Sequence, residues 1–250
     1  RIILMNGTEF EAVKFSHQLA RHCPNQDLRR ELAMTRRTEQ QQQKKLANLK
    51  PISESILDHT ISYEQLAVDL TAHLAKRVQC QNVKQALDLA LLEDFDHLYR
   101  YADLMEMDTG EHAERLVGRY TEIMPGRPTI SEHRFPKDGI PCALGKDAPL
   151  FDKLAAMIIT AAEQQTMNYY MNQTGFYKND LGRRLYQEIG MIEEQHVTQY
   201  EALMDASVTW LECMLMHEYV ECYLYWSCAQ TECDPYIQKI WARHLEQEIA

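Results

Sequence analysis

The chain has 250 residues, 45% of them apolar, enough for one large domain or two small ones with a sizeable core. Its net charge of −11 argues against broad electrostatic binding to nucleic acid or to an anionic membrane. There is no run of about 18 apolar residues, so no membrane-spanning helix is expected.

Arg1 is not an initiator methionine, which leaves room for residues before it, and no signal-peptide pattern is visible. One basic stretch runs from Arg29 to Lys45, with Arg30, Arg36, Arg37 and Lys44 set against Glu31 and Glu39. A solvated helix face explains it better than an RNA contact. The seven cysteines (Cys23, Cys80, Cys142, Cys213, Cys222, Cys228 and Cys233) contain no C-x-x-C pair. An odd number without ligand spacing reads as reduced thiols in a cytoplasmic protein, not as a disulfide framework or a zinc ribbon.

In chain order the pattern is all-α: 3.6-residue periodicity is common, and period-two runs rich in Val, Ile and Thr are scarce. Residues 1–50 form a polar helical extension of one or two helices, closed by Pro51. A helix is expected from about Ser53 to Gln79, then a break at Cys80–Asn82. A second helix follows from about Val83 to Met107, stopped by Asp108-Thr109-Gly110 with the glycine as a left-handed cap. Residues 110–149 hold five of the eight prolines and read as a long connection that crosses over or covers a site, opening with a short helix over Glu111–Met124. A third helix spans about Leu150 to Gln173, Gly175–Asn179 turns the chain, and a fourth spans about Asp180 to Asp205. Two more, from Thr209 to Thr231 and after Pro235, are expected to pack on the bundle. The domain reading is therefore 1–50, 51–208 and 209–250.

Of ten histidines, only His97 and His196 have an acidic residue three positions earlier, Asp94 and Glu193. Residues i and i+3 share a helix face, so each pair can grip one ion from one side. Glu64 lies 30 residues before Asp94, and Glu163 lies 30 before Glu193. A shift of 99 carries Glu64, Asp94 and His97 onto Glu163, Glu193 and His196, and also Gln65 onto Gln164, Tyr101 onto Tyr200, Leu104 onto Leu203 and Met105 onto Met204. This reads as one helical hairpin used twice. The midpoints, 79 and 178, fall at the two expected turns, so each acid pair is level across its hairpin, roughly 22 Å from the turn. The neighbours are apolar at helical spacing: Ala67, Val68 and Thr71; Ala90, Leu91, Leu98 and Tyr101; Ala156, Ile159, Thr160 and Met167; Ile189, Val197 and Tyr200. Four carboxylates on a buried stripe are very costly unless paired. Two divalent cations would offset them, and oxygen ligands with two imidazoles suit iron or manganese better than calcium or a structural zinc.

The pattern resembles the ferritin-like di-metal carboxylate proteins, in which two helices each give a Glu and two give Glu-x-x-His. The resemblance covers about 53–107 and 150–205. It implies a ferritin-like four-helix bundle binding two iron ions, with manganese or a mixed pair as variants. It also implies that Glu64 and Glu163 are terminal carboxylates, that Asp94 and Glu193 bridge the metals, and that His97 and His196 each bind one. Asp94 departs from the family's Glu, and Glu93 and Asp96 are neighbours able to substitute. The implied activity is oxidoreductase chemistry on O2 or peroxide, with a small-molecule substrate and a reductant as partners and a homodimer among the expected assemblies. The alternatives are an iron-storage protein and an interaction protein with a structural metal site.

Tyr101 and Tyr200, one turn after the histidines, are candidate hydrogen-bond or radical partners, with bundle packing as the plainer alternative. Tyr63, Tyr169 and Tyr170 are read in the same way. His217, Glu218 and Glu221 read as an extra ligand or proton relay, or more simply as a polar stripe. His112, Glu114, Glu132 and His133, near Arg127 and Arg134, suggest an anion-binding lid.

Overall fold

A computed structural model describes residues 1–126 and 143–250, and every regular element among them is an α-helix. These are α1 (Ile2–His22), α2 (Gln26–Ala47), α3 (Ile56–Ala75), α4 (Gln81–Thr109), α5 (Glu114–Val117), α6 (Leu150–Phe176), α7 (Asp180–Glu201), α8 (Trp210–Thr231) and α9 (Pro235–Ile249). No helix among the described residues is long and apolar enough to cross a membrane. They divide into two compact units, 51–206 and 1–50 with 207–250.

Local chemistry sets the helix ends. Ser55 and Asp58 form a capping box, the Ser55 hydroxyl accepting the Asp58 N–H at 3.1 Å and the Asp58 carboxylate accepting the Ser55 N–H at 2.9 Å. That start lies just inside the expected one at Ser53. The helix also stops earlier, at Ala75, so the turn before α4 spans 76–80. Gly110 closes α4 with φ of 72°, the left-handed region that a glycine enters without a Cβ penalty. α7 opens on Asn179, whose side chain accepts the Gly182 N–H at 2.8 Å. It ends at Glu201 rather than Asp205, where the chain turns and the Leu203 carbonyl accepts the Leu144 N–H at 2.8 Å. The helix expected over Glu111–Met124 is a single turn, α5, ending at Gly118, and residues 121–126 carry no regular structure.

In the unit 51–206, α3 packs on α4 and α6, and α7 packs on α6 and α4, so the four long helices close a ring; α5 lies against α3. The end of the ring near the α3–α4 turn is filled by Leu74, Val83, Leu87, Ala90, Ala156, Ile159 and Leu203. Two buried or half-buried acids tie the turns down. Asp152, fully buried in the first turn of α6, accepts the Gln79 N–H at 3.1 Å and the Cys80 N–H at 2.6 Å. At the opposite end Asp108, near the end of α4, accepts from the Tyr177 hydroxyl at 2.7 Å and from Asn179 Nδ2 at 2.9 Å, in the α6–α7 turn. Each turn is thus gripped by the other helix pair.

Residues 1–50 and 207–250, read in the sequence as separate terminal segments, form the second unit with each other. There α1 packs on α2 and α8, and α8 on α9, around Met5, Leu46, Tyr225 and Trp241.

Asp152→Ala should lower the unfolding free energy by about 2–3 kcal/mol, because it strips two turn N–H groups of their acceptor. Urea denaturation measures it, and a loss under about 0.5 kcal/mol would mean that water replaces the carboxylate.

Candidate metal centre

Six ionisable side chains meet in the middle of the ring. Glu64 comes from α3, Asp94 and His97 from α4, Glu163 from α6, and Glu193 and His196 from α7, and none is more than 1% exposed. They fall into two groups, Glu64–His97–Glu193 and Asp94–Glu163–His196, and the ligand atoms of each group lie within 4.8 Å of one another. Each group draws on three helices, so neither forms without the ring.

The groups interlock through Glu193. Its Oε1 is 2.9 Å from His97 Nδ1 and its Oε2 is 3.2 Å from His196 Nδ1, so one carboxylate spans both imidazoles. The rings lie 6.0 Å apart, centroid to centroid. Glu64 Oε2 is 3.9 Å from His97 Nδ1, and Glu163 Oε2 and Asp94 Oδ1 are 3.8 and 3.9 Å from His196 Nδ1. The Thr71 hydroxyl donates to Asp94 Oδ2 at 2.9 Å, and the Tyr170 hydroxyl donates to Glu64. Glu64 Oε2, Asp94 Oδ1 and both oxygens of Glu163 have no hydrogen-bond partner among the described residues. Buried carboxylate oxygens are rarely left this way, and four together are acceptor positions that a cation would satisfy.

Glu93 and Asp96, read in the sequence as neighbours able to substitute for Asp94, are both buried. Glu93 Oε2 is 2.7 Å from His196 Nε2, on the ring edge opposite the other carboxylates. Glu93 is thus positioned to orient the His196 ring from behind. Asp96 lies 3.7 Å from Arg100. The tyrosine that touches the group is Tyr170. Tyr101 packs its ring on Tyr170 and Tyr186 at 5.1 and 4.9 Å, and Tyr200 lies 6.5 Å from the His196 ring. The hydroxyls of Tyr101 and Tyr200 have no hydrogen-bond partner among the described residues. Tyr63 stacks on Tyr169 at 4.8 Å and accepts from Gln165 Nε2 at 2.9 Å. A helix-face argument from His97 and His196 finds Tyr101 and Tyr200; Tyr170 reaches Glu64 from a different helix pair, which no local spacing encodes.

The other candidates lie elsewhere. His112 is exposed beside Glu106, Glu114 opens α5, and Arg127, Glu132, His133 and Arg134 lie outside the described residues. Tyr120, Thr121, Glu122 and Met124 line a groove of about 500 Å³ on α3 and α4, with His73, Phe95 and Tyr99. His217, Glu218 and Glu221 belong to the terminal unit; Glu221 is fully buried, which a solvated polar stripe would not predict.

Without a cation the four acids and His196 split in their protonation. Burial first, then the neighbouring Glu193 charge, holds Glu64 and Glu163 well above the usual carboxylate range. Burial pushes Asp94 up to about 7, although His196 pulls the other way. Glu193 also pays for desolvation, yet its hydrogen bonds to His196 and His97 hold it below the ordinary range. His196 is opposed by burial, but contacts with Glu163, Glu193 and Glu93 keep it charged well above its usual range. The metal-free centre is thus a Glu193 carboxylate against an imidazolium, with protons on the surrounding acids.

No protein-family model matches this chain, and no curated protein or solved structure matches it at a significant level.

The protonation pattern separates two isosteric substitutions in chelator-treated protein. A depressed folded-state pKa gives Glu193 a stabilising role at neutral pH that fades as pH falls below its unfolded value and is gone below its folded one, so Glu193→Gln should cost about 3 kcal/mol. Glu163 has a raised folded-state pKa and already holds its proton, so Glu163→Gln should stay within about 1 kcal/mol of the parent. Denaturant melts of both variants check the contrast, and equal losses would refute the assignment.

Proposed function

We propose that residues 51–206 are a ferritin-like four-helix bundle holding two metal ions, iron or manganese, and that the protein is an oxidoreductase acting on O2 or peroxide. The observation that carries this reading is the Glu193 carboxylate, shared between two imidazoles and flanked by three further buried acids with four oxygens that lack partners among the described residues. Glu64, His97 and Glu193 would hold one ion, and Asp94, Glu163 and His196 the other, with Glu193, which reaches both imidazoles, able to serve both. The donor set of carboxylates and two imidazoles suits a redox-active first-row metal. A pair of such ions, when bound, supplies the electrons that reduce O2 or peroxide.

The chain's own residues supply the surroundings. Leu98, Ala156 and Ile159, each fully buried, help keep water from the centre. Glu93 fixes the His196 ring from behind, and Thr71 fixes Asp94. Tyr170 holds a proton on its hydroxyl toward Glu64, and burial keeps that hydroxyl protonated.

The test is elemental analysis with consumption assays. Protein loaded anaerobically with Fe(II) should consume O2 or peroxide, and Glu193→Ala and His196→Ala should lose both bound metal and consumption. Iron-loaded parent protein that consumes neither, or variants that keep full metal content, would refute the proposal. A large hollow assembly by light scattering would favour iron storage instead.

Metal affinity should also weaken as pH falls below about 7, because protons on Asp94 then compete with the cation. Mn(II) titrations at pH 6 and pH 8 read this directly, and equal affinities would count against Asp94 as a ligand.

A further inference from the structure

The terminal unit carries a second set of buried acids. On each of its four helices a glutamate occupies a position of the apolar stripe. Glu9 follows Met5 and precedes Ala12 on α1, and Glu39 lies between Leu32 and Leu46 on α2. Glu221 precedes Tyr225 and Cys228 on α8, and Glu248 follows Trp241 and His244 on α9. Glu9 and Glu221 are 0% exposed and Glu39 is 3% exposed. Glu218 sits one turn before Glu221, on the same face of α8. Ligand oxygens of Glu39, Glu218, Glu221 and Glu248 all lie within 4.8 Å of one another.

An acidic cluster alone is no site, because carboxyl groups also satisfy one another by sharing protons. What singles this one out is Glu221. Both of its oxygens are buried and neither has a hydrogen-bond partner among the described residues, while one of them lies in the group with the other three acids. Glu39 and Glu9, by contrast, lie close enough to share a proton. The surrounding polar groups are already committed. Gln42 donates to Glu248, and the Tyr225 hydroxyl donates to Glu9 while accepting from His244 Nδ1 at 3.2 Å. Burial lowers His244 to about 4, so it stays neutral and adds no positive charge. Four carboxylates converging around unpartnered oxygens, with no imidazole in the set, make a hard oxygen-only cage. Cation–oxygen contacts of about 2.2–2.6 Å place opposite ligands at most about 5 Å apart, the spread seen here.

We infer that Glu39, Glu218, Glu221 and Glu248 form a binding site for a single hard divalent cation of the Ca(II) or Mn(II) kind, separate from the centre in residues 51–206. Its ligands come from three helices, α2, α8 and α9, so the cation joins residues 1–50 to 207–250 and links the two ends of the chain within their unit.

Equilibrium dialysis of the full chain against Mn(II), with ions counted by elemental analysis, tests this. Glu221→Gln keeps the shape and removes one charge; it should bind about one ion fewer per chain than the parent, and Ca(II) should displace that ion from the parent. Glu248→Gln, at a half-buried position, should repeat the loss without threatening the fold. Glu163→Gln, in the other unit, should keep this ion. Equal ion counts in the parent, Glu221→Gln and Glu248→Gln would overturn the inference and leave a proton-sharing carboxyl cluster. Because the decisive variants touch only the terminal unit, the result stands apart from the fate of the O2 or peroxide reading.

Discussion

Everything in residues 51–206 depends on how four carboxylates and two imidazoles are buried together. An isolated carboxylate in such a place would take up a proton rather than remain charged. Three of the acids do so, and Glu193 stays ionised because His97 and His196 hold its two oxygens from opposite sides. The ring of α3, α4, α6 and α7 must keep those two imidazoles in register across different helix pairs. The turn contacts of Asp152 and Asp108 serve that register: each fixes one helix pair against the end of the other. Stability and chemistry are therefore coupled. The groups that are worst for the core are the ones that the fold is organised to hold.

Much of this centre was legible in the sequence because it obeys local rules. The i,i+3 spacing of Asp94 with His97 and of Glu193 with His196, and the equal 30-residue steps from Glu64 and Glu163, are properties of single helices and of turns between neighbouring ones. What stayed hidden acts across helix pairs. Glu93 looks like a spare ligand next to Asp94, and only the packing of α4 on α7 sets it against His196 Nε2. Asp152 reads as an ordinary first-turn acid, yet its acceptors serve a turn more than 70 residues away. Tyr170 competes in the sequence with Tyr101 and Tyr200, and its contact with Glu64 depends on how α6 lies beside α3.

The terminal segments show the same limit on a larger scale. The amphipathic stripes of α1, α2 and α9, and the apolar character of α8 all round, announce that each helix needs a partner, but they do not name one. Residues 1–50 and 207–250 find each other across the whole length of the chain. Glu39 looked like a surface charge among basic residues, and Glu221 like part of a polar stripe with His217 and Glu218. Their burial follows from the rotation of each helix, which places them in line with Leu32 and Leu46 or with Tyr225 and Cys228.

The two buried acid sets solve one electrostatic problem with different means. Around Glu193, imidazoles are part of the group, so charge can be balanced even without a cation, and the same nitrogens suit a metal that changes oxidation state. Around Glu221 no imidazole enters the group, and His244 is held neutral and engaged with Tyr225. Protons or a hard cation are the remaining ways to lower that charge, and a hard cation of fixed valence brings no electrons. The division of donor atoms thus separates the proposed redox centre from the proposed helix-tying site, in two units of the same chain.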